Sequence, residues 1–137
     1  MDGGSAADHG TAIVLQVGFD TDSLSRTRHL IEAKLVAAGL GPSRAGTFLF
    51  AINEALINAI MHGGGSGEVT LIREDDCLVA VVEDLRPTEP FEIPAELPPP
   101  DAIGGRGLWL AARACHGIRM ESGSRGLRLI LTFNLEP

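Results

Sequence analysis

Glu54 and Asn58 stand four residues apart in the run Ala51-Ile52-Asn53-Glu54-Ala55-Leu56-Ile57-Asn58-Ala59-Ile60-Met61-His62-Gly63. A helix through this run puts the carboxylate and the carboxamide one turn apart on one side. Such a pair suits metal-nucleotide chemistry, because an amide oxygen can ligate the hard cation Mg²⁺ while the carboxylate orients or deprotonates a nucleophile. The bland alternative is an amphipathic helix with a sticky outer side. Asp84 ends an apolar stretch, where a carboxylate can accept a hydrogen bond from a ligand amine or simply form a turn. Gly104-Gly105-Arg106-Gly107-Leu108 opens a further helical segment and would present free backbone N–H groups, and the positive end of a helix dipole, to phosphate oxygens. Neither GxxxxGK[ST] nor GxGxxG with its preceding strand occurs, which disfavours the two common nucleotide folds. His62, at the end of the first helix, either touches a phosphate or serves that helix as a cation at its negative pole.

Other reactive residue types lack a partner pattern. His9, His29 and His116 show no ligand spacing, and Cys77 and Cys115 read as core-filling residues, with neither a disulfide framework nor a zinc site. Trp109 reads as packing, and Ser43, Ser66, Ser122 and Ser124 have no local base.

The elements that must position these groups follow from periodicity. Ile13, Leu15, Val17 and Phe19 alternate with Ala12, Val14, Gln16 and Gly18, predicting a strand with one strongly apolar face. Asp22 or Ser23 caps a helix to about Ala38, with Leu24, Ile31, Leu35 and Ala38 as its core stripe, ended by Gly39-Leu40-Gly41-Pro42. Ser43 then caps the helix of Glu54 and Asn58, which stops at Gly63-Gly64-Gly65. On that helix Ala45, Phe48, Leu49, Ile52, Ala55, Leu56, Ala59 and Ile60 share a core face. Phe50, Ile57 and Met61 lie beside Thr47, Asn53, Glu54 and Asn58 on a mixed face, as in the wall of a ligand cleft. Glu68 to Arg73 and Cys77 to Asp84 read as a hairpin closed by Glu74-Asp75-Asp76. Pro87, Pro90, Pro94, Pro98, Pro99 and Pro100 make residues 86–103 a long loop, either a lid or a plain connector. A helix over 107–115, a turn around Ser122-Gly123-Ser124 and a strand over 127–135 complete the chain. These elements predict an α+β two-layer sandwich, its mostly antiparallel sheet covered on one face by helices.

With 137 residues, 45% of them hydrophobic and 21% charged, the chain suits one compact domain, residues 11–137, behind a flexible tail of residues 1–10. A net charge of −7 and a pI near 4.9 argue against nucleic-acid or anionic-membrane binding and favour a partner with a basic surface. No apolar run approaches the ~20 residues that span a bilayer, and Met1-Asp2-Gly3-Gly4-Ser5 does not open a signal peptide, so a cytoplasmic location is expected.

Taken in order, these pieces resemble the ATPase domain shared by DNA gyrase, histidine kinases and MutL. More closely, residues 51–63 are similar to the asparagine box of the bacterial anti-sigma factor serine/threonine kinases, which share the pattern ExxxNAxxHG. Val81-Val82-Glu83-Asp84 resembles their aspartate box, and Gly104-Gly105-Arg106-Gly107-Leu108 the glycine box that closes the ATP lid. The resemblance covers residues 11–137 and implies a Bergerat-type fold that binds ATP and Mg²⁺. It implies that Asn58 holds the metal, that Asp84 recognises the adenine amine, and that Gly105, Gly107, Leu108 and His62 belong to the nucleotide site. Glu54 is then the general base for a serine hydroxyl, and Arg106 neutralises the transferring charge. The implied partners are a sigma factor, an anti-anti-sigma factor as phosphorylation substrate, and a second copy of the chain. Two departures mark the sequence: Leu85-Arg86-Pro87 follows Asp84 where the family has a glycine-containing turn, and Gly126-Leu127 stands where relatives have Gly-Thr. They leave a second reading, a regulatory module that retains the fold and binds partners without useful phosphoryl transfer.

Overall fold

In a computed structural model of the chain, the described residues are 11–62, 64–85, 90–100 and 105–137. The expected tail (residues 1–10), Gly63, Arg86, Pro87 and Gly104 lie outside them. The elements run β1 (Ala12–Asp20), α1 (Leu24–Ala37), α2 (Pro42–His62), β2 (Ser66–Arg73), β3 (Cys77–Asp84), α3 (Arg106–Ala114), β4 (Gly117–Ser122) and β5 (Leu127–Asn134). The strands form one sheet in the order β1-β2-β3-β5-β4, and every neighbouring pair is antiparallel. The α+β sandwich expected from periodicity is the architecture observed.

The layers are held by apolar burial between the helices and one sheet face. Ile31 and Leu35 of α1 and Phe48, Ile52 and Leu56 of α2 are fully buried against Val69, Leu71, Leu78 and Leu131 of the sheet. Burying such side chains contributes roughly 1.5–3 kcal/mol each. Phe48 stacks on Phe133 of β5 with ring centroids 4.9 Å apart, and the guanidinium of Arg44 covers the same ring at 4.8 Å. Arg44 also donates to the carbonyls of Asn134 and Leu135, which ties the start of α2 to the end of β5. No helix among the described residues is long and apolar enough to cross a membrane.

Four local expectations are corrected. Helix α2 begins at Pro42, whose fixed φ suits a first helical position, so Ser43 lies inside the first turn and is not its cap. Ser23 precedes α1, but its hydroxyl reaches back to the Asp20 amide (2.9 Å) while the Asp20 carboxylate accepts the Ser23 amide (2.9 Å). The brace closes the β1–α1 turn instead of capping the helix, and its bond from the Ser23 backbone holds the Asp20 carboxyl below its ordinary range. Strand β1 is not a single alternating face: its register with β2 shifts between Ile13 and Leu15. Leu15 and Val17 therefore pack toward the core beside the buried Phe19, while Ile13 pairs with Ile72 and stays 61% exposed. Finally, residues 117–122 form the edge strand β4, an element absent from the sequence reading.

Candidate functional site

Helix α2 carries its chemistry on the side turned from the core. Glu54 and Asn58 are both half-buried, and burial pushes the Glu54 carboxyl above its ordinary range. The start of helix α3 lies against this side. Gly105 at its start adopts φ +89°, a left-handed conformation that favours glycine. The Trp109 amide donates to the Gly105 carbonyl (3.0 Å), so the amides of Arg106, Gly107 and Leu108 precede the helical ladder and point out of the helix end. Gly107 has no Cβ for a direct reason: one built there would overlap the Glu54 carboxylate. The carboxylate thus sits directly against the positive end of α3.

Between the two helices lies a cavity of about 190 Å³ lined by Glu54, Ile57, Asn58, Met61, His62, Gly105, Gly107 and Leu108. It brings together six of the residues singled out from sequence. Asn58 also borders a second, tighter recess with Ala55, Ala59, Val82, Asp84, Leu127 and Leu129. Asp84 is 4% exposed at the end of β3, and its Oδ1 accepts the backbone amide of Leu127 at 2.9 Å. A carboxylate accepts several hydrogen bonds, so this one leaves capacity for a ligand donor. The two compartments share Asn58 as their common wall, with amide donors at one end and a buried carboxylate at the other.

Arg106 is turned toward the proline-rich loop. Its Nη1 donates to the carbonyl of Pro98, and it is not among the residues lining the cavity. The same proline-rich segment rests on Gly105, where a Cβ would lie 3.2 Å from Pro94 and 3.3 Å from Pro98. Further back, the Phe91 amide donates to Met120 Sδ (3.3 Å) and Ile93 packs on the core. The described part of the long loop is therefore docked over the start of α3. His62, the last residue of α2, is exposed and reaches the cavity rim. Trp109 packs under Arg113, and Cys77 is buried.

A family model for the histidine kinase-like ATPase domain matches residues 18–133. The chain belongs to this family. Its match runs from the end of β1 through most of β5 and includes α2, Asp84 and the start of α3, so the ATPase domain contains both compartments. No curated protein matches the chain. The family identifies the fold as ATP-binding and kinase-like, and the donor set agrees with it: helix-end amides for phosphates, and a buried acid for an amine. The Asp84 recess is closed in the structure, with essentially no free volume between its walls. Sequence reasoning noted Gly126-Leu127 only as a departure and missed its contact with Asp84. That contact runs through a backbone amide, which the side-chain type does not reveal.

Proposed function

We propose that the protein is an ATP- and Mg²⁺-dependent serine kinase that also acts as an anti-sigma factor, phosphorylating an anti-anti-sigma partner and sequestering a sigma factor. The observation that carries this reading is the Glu54 carboxylate, half-buried, raised in pKa and lodged against Gly107 beside Asn58. A base with that elevated affinity for a proton, at the mouth of a phosphate-binding helix end, is suited to take the proton of a serine hydroxyl. ATP supplies the phosphoryl group: the serine Oγ–P bond forms as the bond from the γ-phosphorus to the leaving ADP oxygen breaks. Asn58 offers its amide oxygen to Mg²⁺, Asp84 accepts from the adenine amine, and the amides of Gly105, Gly107 and Leu108, with His62 at the rim, face phosphate. Arg106 reaches the transferring charge only on leaving the Pro98 carbonyl. The reading further takes the active form to be a homodimer.

The Leu127 amide bears on the departure at Gly126-Leu127. It supplies Asp84 with a hydrogen bond through the backbone, so the missing Gly-Thr side chain does not leave that carboxylate without a partner.

Calorimetry with ATP, with and without Mg²⁺, tests the site, and mass spectrometry of a co-expressed anti-anti-sigma protein tests the reaction. Binding that strengthens with Mg²⁺ and a phosphoserine on the partner are expected. Glu54→Ala should abolish transfer while leaving nucleotide affinity within a few-fold of the parent, since a general base acts in the transition state. Asn58→Ala should lose both. Transfer by Glu54→Ala at the parent rate would remove Glu54 from its role.

A further inference from the structure

Consecutive residues of a strand point to opposite faces, so Glu83 and Asp84 at the end of β3 look in opposite directions. Asp84 faces the recess with Ala55 and Asn58, while Glu83 lies on the sheet face away from the helices. On that outer face the register sets Glu68 of β2 directly opposite Glu83. Two carboxylates in this position repel. The cation between them comes from the β4–β5 turn: Arg125 Nη2 is 2.8 Å from Glu68 and 3.0 Å from Glu83.

The same turn spans both faces. The Gly123 amide donates to the Gly126 carbonyl at 2.6 Å, and Glu83 Oε2 accepts the Arg125 backbone amide at 3.4 Å. A Cβ on Gly126 would collide with the carbonyl and carboxylate oxygens of Asp84. The next amide, Leu127, donates to Asp84 Oδ1. Three consecutive residues therefore straddle the end of β3, with Arg125 gripping its outer carboxylate and Leu127 its inner one.

We propose that Arg125 is a positioning residue for the nucleotide site: its ion pairs with Glu68 and Glu83 hold the turn whose Leu127 amide fixes the Asp84 carboxylate. The proposal rests on Asp84 being the adenine-recognising acid. The charge coupling is mutual, since the Arg125 hydrogen bond draws the Glu68 carboxyl below its ordinary range and the Glu68 bond raises Arg125. Removing the guanidinium leaves the two facing carboxylates unneutralised and takes away the ion pairs that tie the turn to β2 and β3, so the Leu127 amide is held less firmly on Asp84 without any change in the cavity itself.

The test compares the parent with Arg125→Ala and Arg125→Lys in two measurements. In the nucleotide-free protein, exchange of the Leu127 amide followed by NMR should quicken about tenfold in Arg125→Ala and partly recover in Arg125→Lys, with Val69 and Val82 unchanged. In titrations, the parent should prefer ATP to inosine triphosphate, which lacks the amine, and Arg125→Ala should lose about tenfold in ATP affinity and most of that preference. Unchanged Leu127 exchange overturns the proposal whatever the titrations give. Faster exchange across the whole sheet in both variants also overturns it, because Arg125 would then be a general support of the fold. A parent indifferent between the two nucleotides removes the reading of Asp84 on which the proposal stands. Faster exchange at Leu127 with undiminished ATP affinity breaks the link between them.

Discussion

A glycine and a carboxylate define the site at the scale of single residues. Gly107 is helical with ordinary φ, so alanine suits its backbone and should favour α3 slightly, by roughly 0.5–1 kcal/mol. Its Cβ would meet only the far end of the flexible Glu54 side chain, which can swing aside. Gly107→Ala is therefore expected to keep the fold and its Tm, yet lose at least about tenfold in phosphoryl transfer as the base leaves its position. Partner phosphorylation measured beside thermal unfolding checks both halves. Glu54 itself should show the cost of its place. Desolvation raises its folded pKa above the ordinary 4.5, so the stability linked to its neutral form is complete below that value and is lost as pH rises through the folded pKa. Glu54→Gln keeps the shape without the charge. Its Tm should exceed the parent's at pH 7, and the gap should close by about pH 4. Equal Tm values at pH 7 would mean that the carboxylate is not held against its charge. Glu68 contributes with the opposite sign: its lowered pKa gives stability present above the ordinary value and lost as pH falls below it.

At the scale of elements, contacts through backbone are the least forgiving. Gly126 faces the Asp84 main-chain carbonyl as well as its carboxylate, and a carbonyl in a paired strand cannot swing away. Gly126→Ala is expected to destabilise the protein by roughly 1–3 kcal/mol, a drop of several degrees in Tm, and to weaken ATP binding with it. Thermal unfolding in parallel with titration measures both, and a Tm within one or two degrees of the parent would refute the close packing of this turn. The contrast with Gly107 also marks what was legible in the sequence. Spacing alone placed Glu54 and Asn58 on one helix side, an apolar run after an acidic turn gave β3, and alternation gave β5, because these signals are local. The Pro42 start of α2 was obscured by the competing cap signal of Ser43. Strand β4 escaped because its alternation, Ile118 and Met120 against Arg119 and Glu121, spans only six residues and is borne by an edge strand with a polar outer side. The bulge at Val14 and the grip of Leu127 on Asp84 depend on residues far apart in the chain, which no window of sequence contains. The bond from Arg106 to a carbonyl of the proline-rich loop is likewise one that residue type alone does not reveal.

For the whole molecule the open question is what covers the sheet face and edge left by the helices. Strand β1 is the outer strand of the sheet beside β2, and an outer strand offers unpaired backbone groups to a second chain. On the face turned from the helices the bulge leaves Ile13 exposed opposite Ile72, with Val79 and Val81 of β3 following across the sheet. The homodimer proposed above would bury this surface around the molecular two-fold. A charge at the neighbouring Val14 would not test this, since that side chain packs partly against the core and an aspartate there would damage the fold itself. Ile13→Asp adds a charge where the monomer is open to solvent, so Tm at low concentration should stay close to the parent's while association is lost. Light scattering over a concentration series should give a dimeric mass for the parent at high micromolar concentration and a monomeric mass for Ile13→Asp. Each copy carries a net charge of −7, so the two repel at long range, and salt that screens this repulsion should tighten the parent dimer. A parent that remains monomeric at high concentration and high salt would leave the apolar strip around Ile13 as ordinary surface and end the dimer proposal, because screening removes the only long-range force opposing it.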